Sequence, residues 1–135
     1  MKIYKKEINI RTSNRVEFID ITKKILEIVQ ESKILDGICH IFVPHTTAAV
    51  TINENADKDV VRDIIDRLNR LAPGDDNYRH IEGNSDAHIK SSIIGVSLSV
   101  VVSDNELELG TWQGIYFCEF DGPRNRKLWI KILGE

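Results

Sequence analysis

The stretch from Thr111 to Phe120 constrains the fold more tightly than any other part of the chain. In a strand successive side chains point to opposite faces, which groups Gln113, Ile115, Phe117 and Glu119 on one side and Trp112, Gly114, Tyr116, Cys118 and Phe120 on the other. Both sides are mostly apolar. Such a strand is covered twice, by the domain core on one face and by a helix layer or another subunit on the other. Gln113 and Glu119 stand out in it, because a carboxylate in that setting costs on the order of several kcal/mol unless it is paired or ligating.

Around this strand the pattern is that of a small mixed domain. Lys2 to Ile10 and Arg15 to Ile19 are rich in β-branched and aromatic residues and are separated by the turn residues Thr12-Ser13-Asn14, which predicts a hairpin. Asp20 stands at an N-cap position, and Ile21, Ile25, Leu26, Ile28 and Val29 recur at helical spacing up to Ser32. Ile38 to Val43 reads as a buried strand that Pro44 interrupts, and Thr46 to Ile52 as a second extended piece. Val60, Val61, Ile64, Ile65, Leu68 and Leu71 mark an amphipathic helix, with Glu54–Lys58, Asp63–Arg67 and Asp66–Arg70 as pairs on its solvated side. After the loop Pro73 to Asn77, Ser85 can cap a short helix over Ala87 to Ile94 that Gly95 closes. Gly95 to Val102, Glu106 to Leu109, Thr111 to Phe120 and Lys127 to Leu133 then follow as strands. The order implies a single α+β domain over residues 1–135 with a largely antiparallel sheet.

Charge narrows the partners. With 18 Lys+Arg against 21 Asp+Glu and a net charge of -3, there is no broad basic field for nucleic acid. No apolar run approaches the roughly 20 residues of a membrane helix, and the N-terminus lacks a signal-peptide core, so a cytoplasmic protein without a membrane partner is expected. Cys39 and Cys118 lie in apolar runs without metal or disulfide spacing and read as buried reduced thiols.

Three polar clusters do not fit surface patterning. Pro44-His45-Thr46-Thr47 and Asn53-Glu54-Asn55 gather an imidazole, hydroxyls, amides and a carboxylate near a helix start, a setting that suits phosphate. Plain capping by Asn53, Asn55 or Asp57 is the simpler reading. His80, Asn84, Asp86 and His88 run from a loop into the short helix. With His45, the two histidines can serve as ligands of a divalent ion such as Zn or Mg with an open position, although the spacing matches no compact motif and a lone histidine is more often hydrogen-bonded structure. His40, alone in an apolar run, reads as structural or as an interface residue. Finally, Asp121-Gly122-Pro123-Arg124 can return a guanidinium to Glu119. Either the two form a structural bridge, or Arg124 grips phosphate oxygens while Glu119 orients a substrate or a metal-bound water.

Together these blocks make the sequence resemble the YjbQ family, known as secondary thiamine-phosphate synthases. The resemblance rests on Pro44-His45-Thr46-Thr47-Ala48-Ala49, Asn53-Glu54-Asn55, His80, Gly83-Asn84 with Ala87-His88, Leu107 with Leu109-Gly110-Thr111-Trp112-Gln113, and Glu119 with Asp121-Gly122-Pro123-Arg124. It implies a half-barrel of mixed, largely antiparallel sheet with two main helices outside, assembled as a homotrimer. The implied activity joins a hydroxymethylpyrimidine diphosphate to a thiazole phosphate, releasing pyrophosphate. Under it Arg124 clamps phosphate, His45, His80 and His88 hold a metal or phosphate, and Glu119, Gln113 and Asn53 orient the pyrimidine. Thr46, Thr47, Glu54 and Asn84 complete the expected substrate site. The chain departs from the family in having Asn105 where glycine is usual, and its loop ahead of His80 is compact. Dedicated thiamine-phosphate synthases are TIM barrels of typically about 250 residues, so this chain is not one of them. Two alternatives remain: a metal-dependent enzyme acting on another phosphorylated or anionic metabolite with Glu119 as general base, and a non-catalytic trimeric small-molecule-binding module.

Overall fold

A computed structural model describes residues 1–135. Strands β1 (Lys2–Arg11), β8 (Asn125–Gly134), β3 (Gly37–Phe42), β5 (Ser97–Ser103) and β6 (Glu106–Leu107) form one sheet in that order, and β2 (Glu17–Asp20), β7 (Gln113–Glu119) and β4 (Ala48–Glu54) form a second. Every pairing is antiparallel, and the α+β domain curls as a half-barrel with three helices, α1 (Thr22–Ser32), α2 (Lys58–Leu71) and α3 (Ser85–Ile94). No helix is long and apolar enough to cross a membrane.

The expected hairpin does not form. β1 pairs along its whole length with β8, from Lys2 opposite Gly134 to Arg11 opposite Asn125, whereas β2 pairs with β7 in the other sheet. The polar residues between them carry the chain across the gap between sheets. Thr12 N donates to Arg124 O and Thr12 Oγ1 donates to Glu119, while Ser13 N and Asn14 N donate to Oε1 of Glu17. Turn chemistry was legible; its use as a crossover required partners more than 100 residues away.

The helix boundaries shift by a residue or so. Asp20 accepts from Thr22 N at 2.9 Å, although Ile21 occupies the cap. Asp57 caps α2 by accepting from Asp59 N, and Asn84 rather than Ser85 stands at the cap of α3.

β7 lies between two cores, and both belong to this one chain. Ile115 and Phe117 join Ile25, Ile41, Leu128 and Ile130 in the main core between the sheets and α1. Tyr116, Cys118 and Phe120 pack with Leu68 and Ala87 under α2 and α3. Of the two covers proposed for the second face, a helix layer is the one observed, so no second subunit is needed there. Both cysteines are buried and free, and burial alone pushes the Cys39 thiol up to about 12.

Phe117 has no exposed surface, so Phe117→Ala should cost about 3–5 kcal/mol in urea unfolding. Trp112, on the same segment but 62% exposed, should lose no more than about 0.5 kcal/mol on replacement by alanine.

Candidate functional site

At the C-terminal end of β7 the carboxylate of Glu119 is completely buried. Its partner is Arg126 on β8, itself only 4% exposed. Arg126 Nε donates to Oε1 at 2.9 Å and Nη2 donates to Oε2, a two-pronged pair. Thr12 Oγ1 donates to Oε1 at 2.7 Å and Asp121 N to Oε2 at 3.1 Å. Burial alone would raise the Glu119 pKa, but the bonds from Arg126, Thr12 and Asp121 outweigh it and hold the carboxyl below its ordinary value. Glu119 is therefore spent on Arg126, and the general-base or substrate-orienting role expected of it has no open oxygen to act through.

Of the two sequence readings of Arg124, the structural bridge to Glu119 is not the one observed. Arg124 instead folds back on its own turn, donating from Nε to Asp121 O at 2.7 Å and from Nη2 to Asp121 Oδ2 at 2.8 Å. The overlooked residue had a signal: Arg126, Leu128, Ile130 and Ile132 alternate as the inward positions of β8, which puts an arginine where a core residue belongs.

Arg126 also donates from Nη2 to Oγ1 and O of Thr47 at 2.8 and 3.2 Å. Its Nη1 bonds to no protein group and yet is not among the buried polar atoms lacking a partner, so it is the atom that faces outward. It opens into a cleft of about 430 Å³ whose ten lining residues include none that is hydrophobic. His45, Thr46, Thr47, Asn84, His88 and Arg124, all expected from the sequence, line it together. Asp121, part of the third polar cluster, joins them, as do Glu82 and Arg126, which were not anticipated.

The side chains of the cleft have distinct duties. His45 Nε2 accepts from Lys127 N at 2.9 Å, which places the ring proton on Nδ1 and leaves a donor free for the cleft. Burial and then the charge of Arg126 lower the His45 pKa, keeping the ring neutral at pH 7. Thr46 is exposed, whereas Thr47 is buried and serves Arg126. Asn84 Nδ2 donates to Asp121 Oδ2 at 2.8 Å, and its Oδ1 is buried without a partner. Neither ring nitrogen of His88 is bonded to protein or sealed from solvent. The N-terminus of α3, at Asn84, adds its positive end to the cleft.

The three histidines do not make a metal centre. His80 and His88 meet edge to face with ring centroids 5.4 Å apart, but His80 Nδ1 is engaged by Ser85 Oγ at 2.9 Å and His45 Nε2 is taken by Lys127. No group of three or more His, Cys, Asp or Glu side chains is close enough to hold a metal ion. The donor set thus does not fit the ion that the resemblance implies.

Gln113, Asn53 and Glu54 also fall away from the cleft. Glu54 pairs with Gln113 and Asn53 with Gly114, at the opposite end of the ladder from Ala48 and Glu119. At roughly 3.3 Å per residue, Gln113 and Glu119 are about 20 Å apart. Gln113 Oε1 accepts from Gly110 N, and Asn53 Oδ1 from Glu54 N, both at 2.7 Å. These are local turn and strand-end bonds. Asp86 is buried, held by Arg15 at 3.0 and 3.1 Å and by Lys90 at 3.4 Å, and it anchors α3. His40 lies on the exposed face of its sheet and bonds Ser99.

Comparison with known proteins gives one answer. Residues 6–135 match the family described as UPF0047 protein YjbQ-like. A UPF0047 protein of Methanocaldococcus jannaschii is 55% identical over 93% of this chain and 91% of its own length. The crystal structure of a YjbQ/UPF0047 protein from Clostridium acetobutylicum has a TM-score of 0.92 at 53% identity, covering 94% of this chain and 98% of that one. That of a protein of unknown function from Sulfolobus solfataricus has 0.95 at 36%, covering 99% of each.

Removing one partner of a buried ion pair strands the other, so Glu119→Gln should destabilise the protein by about 3–5 kcal/mol at pH 7. Because the folded-state pKa of Glu119 is held below its ordinary 4.5, its contribution is complete above that value and is lost as pH falls through the lower folded-state value. Urea unfolding against pH should show a shallower acid loss in Glu119→Gln than in the parent.

Proposed function

The chain belongs to the YjbQ-like UPF0047 family, and we propose that it is an enzyme whose cleft binds the phosphate or diphosphate group of a small-molecule substrate. One observation carries this reading: Arg126 is locked on three sides by Glu119 and Thr47 and exposes one amino group to a cleft lined by no hydrophobic residue. An arginine fixed in this way loses little side-chain freedom when it binds an anion, and its planar donors suit phosphate. Arg124 Nη1, the His45 Nδ1 proton and the N-terminus of α3 supply further donors.

The reaction we favour is transfer of a pyrimidinylmethyl group from its diphosphate to the ring nitrogen of a thiazole phosphate. The methylene–oxygen bond breaks, the carbon–nitrogen bond forms, and pyrophosphate departs with the electron pair. Arg124 and Arg126 would neutralise that leaving group where its charge grows, and His88, whose ring nitrogens are unbonded, would donate a hydrogen bond or proton to it. No step is assigned to a metal, since the side chains do not compose a ligand set.

We further propose self-association into the homotrimer that the resemblance implies, in the cytoplasm. The outer face of the larger sheet supports it, with Ile38, Phe42, Val101 and Trp129 exposed and the rings of Phe42 and Trp129 stacked 5.7 Å apart.

Purified protein supplied with the pyrimidine diphosphate and the thiazole phosphate should form thiamine phosphate and pyrophosphate, and Arg124→Ala and His88→Ala should each slow turnover about 100-fold or more. Variants as fast as the parent would overturn the assignments, and no product from a protein that still binds pyrophosphate would overturn the transferase reading.

A further inference from the structure

A carboxylate in a cleft that binds phosphate needs a reason to be there, since it repels the anion that the neighbouring donors attract. The two side-chain oxygens of Asp121 stand in different situations. Oδ2 accepts from Asn84 Nδ2 and from Arg124 Nη2, both at 2.8 Å, and so ties the cap of α3 to the turn between β7 and β8. Oδ1 bonds to no protein group and is not among the buried polar atoms lacking a partner, so in a side chain that is 14% exposed it is the oxygen left open. The backbone on either side of it is fixed as well, with Asp121 N donating to Glu119 Oε2 at 3.1 Å and Asp121 O accepting from Arg124 Nε at 2.7 Å.

Charge in the cleft is matched before any ligand arrives. Arg126 is paired with Glu119 and Arg124 with Asp121, His45 is held neutral by burial and by the charge of Arg126, and Glu82 adds a further carboxylate. The cleft thus turns the donors Arg126 Nη1, Arg124 Nη1 and the His45 Nδ1 proton to a ligand, together with one rigid charged acceptor, Asp121 Oδ1. The Thr46 hydroxyl and the His88 ring can each donate or accept and so do not select. An oxyanion that has only lone pairs suits the donors and is repelled at Asp121. A phosphate group that keeps one proton suits every position, because its O–H donates to Oδ1 while its other oxygens accept.

We propose that Asp121 makes the cleft selective for a phosphate group bearing an O–H over tetrahedral anions that bear none. The inference rests on the phosphate reading of the cleft and sharpens it: the group is held as hydrogen phosphate or as the monoanion of a phosphate ester, and a sulfate is turned away by lone pairs set against lone pairs.

Sulfate has nearly the shape of phosphate but no proton at pH 7, and Asp121→Asn reverses the selecting position. Asn84 and Arg124 donate to the oxygen at the Oδ2 place, so the new amide presents its NH2 group where Oδ1 stood. In calorimetric titrations of the full chain at pH 7 and constant ionic strength, the parent should bind inorganic phosphate about tenfold or more tighter than sulfate, and Asp121→Asn should bind sulfate at least as tightly as phosphate. Monofluorophosphate, which keeps the shape of phosphate without an O–H at pH 7, should bind the parent as weakly as sulfate does, a measurement that needs no variant. Equal binding of phosphate and sulfate by the parent, monofluorophosphate binding as tightly as phosphate, or a folded Asp121→Asn that still prefers phosphate would each overturn the role of Asp121 and leave the phosphate cleft standing. If phosphate, sulfate and pyrophosphate all fail to bind, the cleft reading falls and takes this inference with it.

Discussion

The buried pair of Glu119 and Arg126 joins the two sheets and builds the floor of the cleft in one interaction. Glu119 ends the strand that separates the two cores, Arg126 begins the inward row of β8, and Thr12 and Thr47 fill the remaining positions on carboxylate and guanidinium. Burying both charges is affordable only because nearly every donor and acceptor in the group is satisfied. The position left over, Arg126 Nη1, is the one that faces the cleft.

This arrangement separates rigidity from recognition. Arg126 is held by the core, so its open donor is preorganised, while Arg124 and Thr46 stand at the exposed rim. Arg124 and Asp121 compensate each other locally, and Glu119 offsets Arg126 from behind. On the proposed phosphate reading, the cleft would hold an anion through directed hydrogen bonds more than through net positive charge, in keeping with an acidic chain.

The sequence carried much of this in readable form. Strict alternation identified β7 as covered on two faces, and the 3.6-residue period identified α2, because both patterns follow from local geometry. The polar clusters marked out His45, Thr46, Thr47, Asn84, His88 and Arg124, and it was the resemblance that implied they belong to one site. What misled was distance along extended chain: Gln113 and Glu119 share a strand face and so looked like one site, yet a strand moves its residues apart faster than any helix. The hairpin failed for a related reason, since Thr12 to Asn14 have turn chemistry in either use and only the partners across the sheets decide between them. Arg126 was missed because its neighbour Arg124 offered the more obvious turn geometry, although the inward spacing of Arg126 with Leu128 and Ile130 was there to be read.

The central claim, that a core-anchored guanidinium presents its free donor to a phosphate group, is tested most directly by nitrogen-15 spectra of the arginine side chains during titration with pyrophosphate. The account predicts saturable shifts at Arg126 and Arg124, with the Gln113 side-chain amide still. Movement at Gln113 with Arg126 unchanged would contradict it.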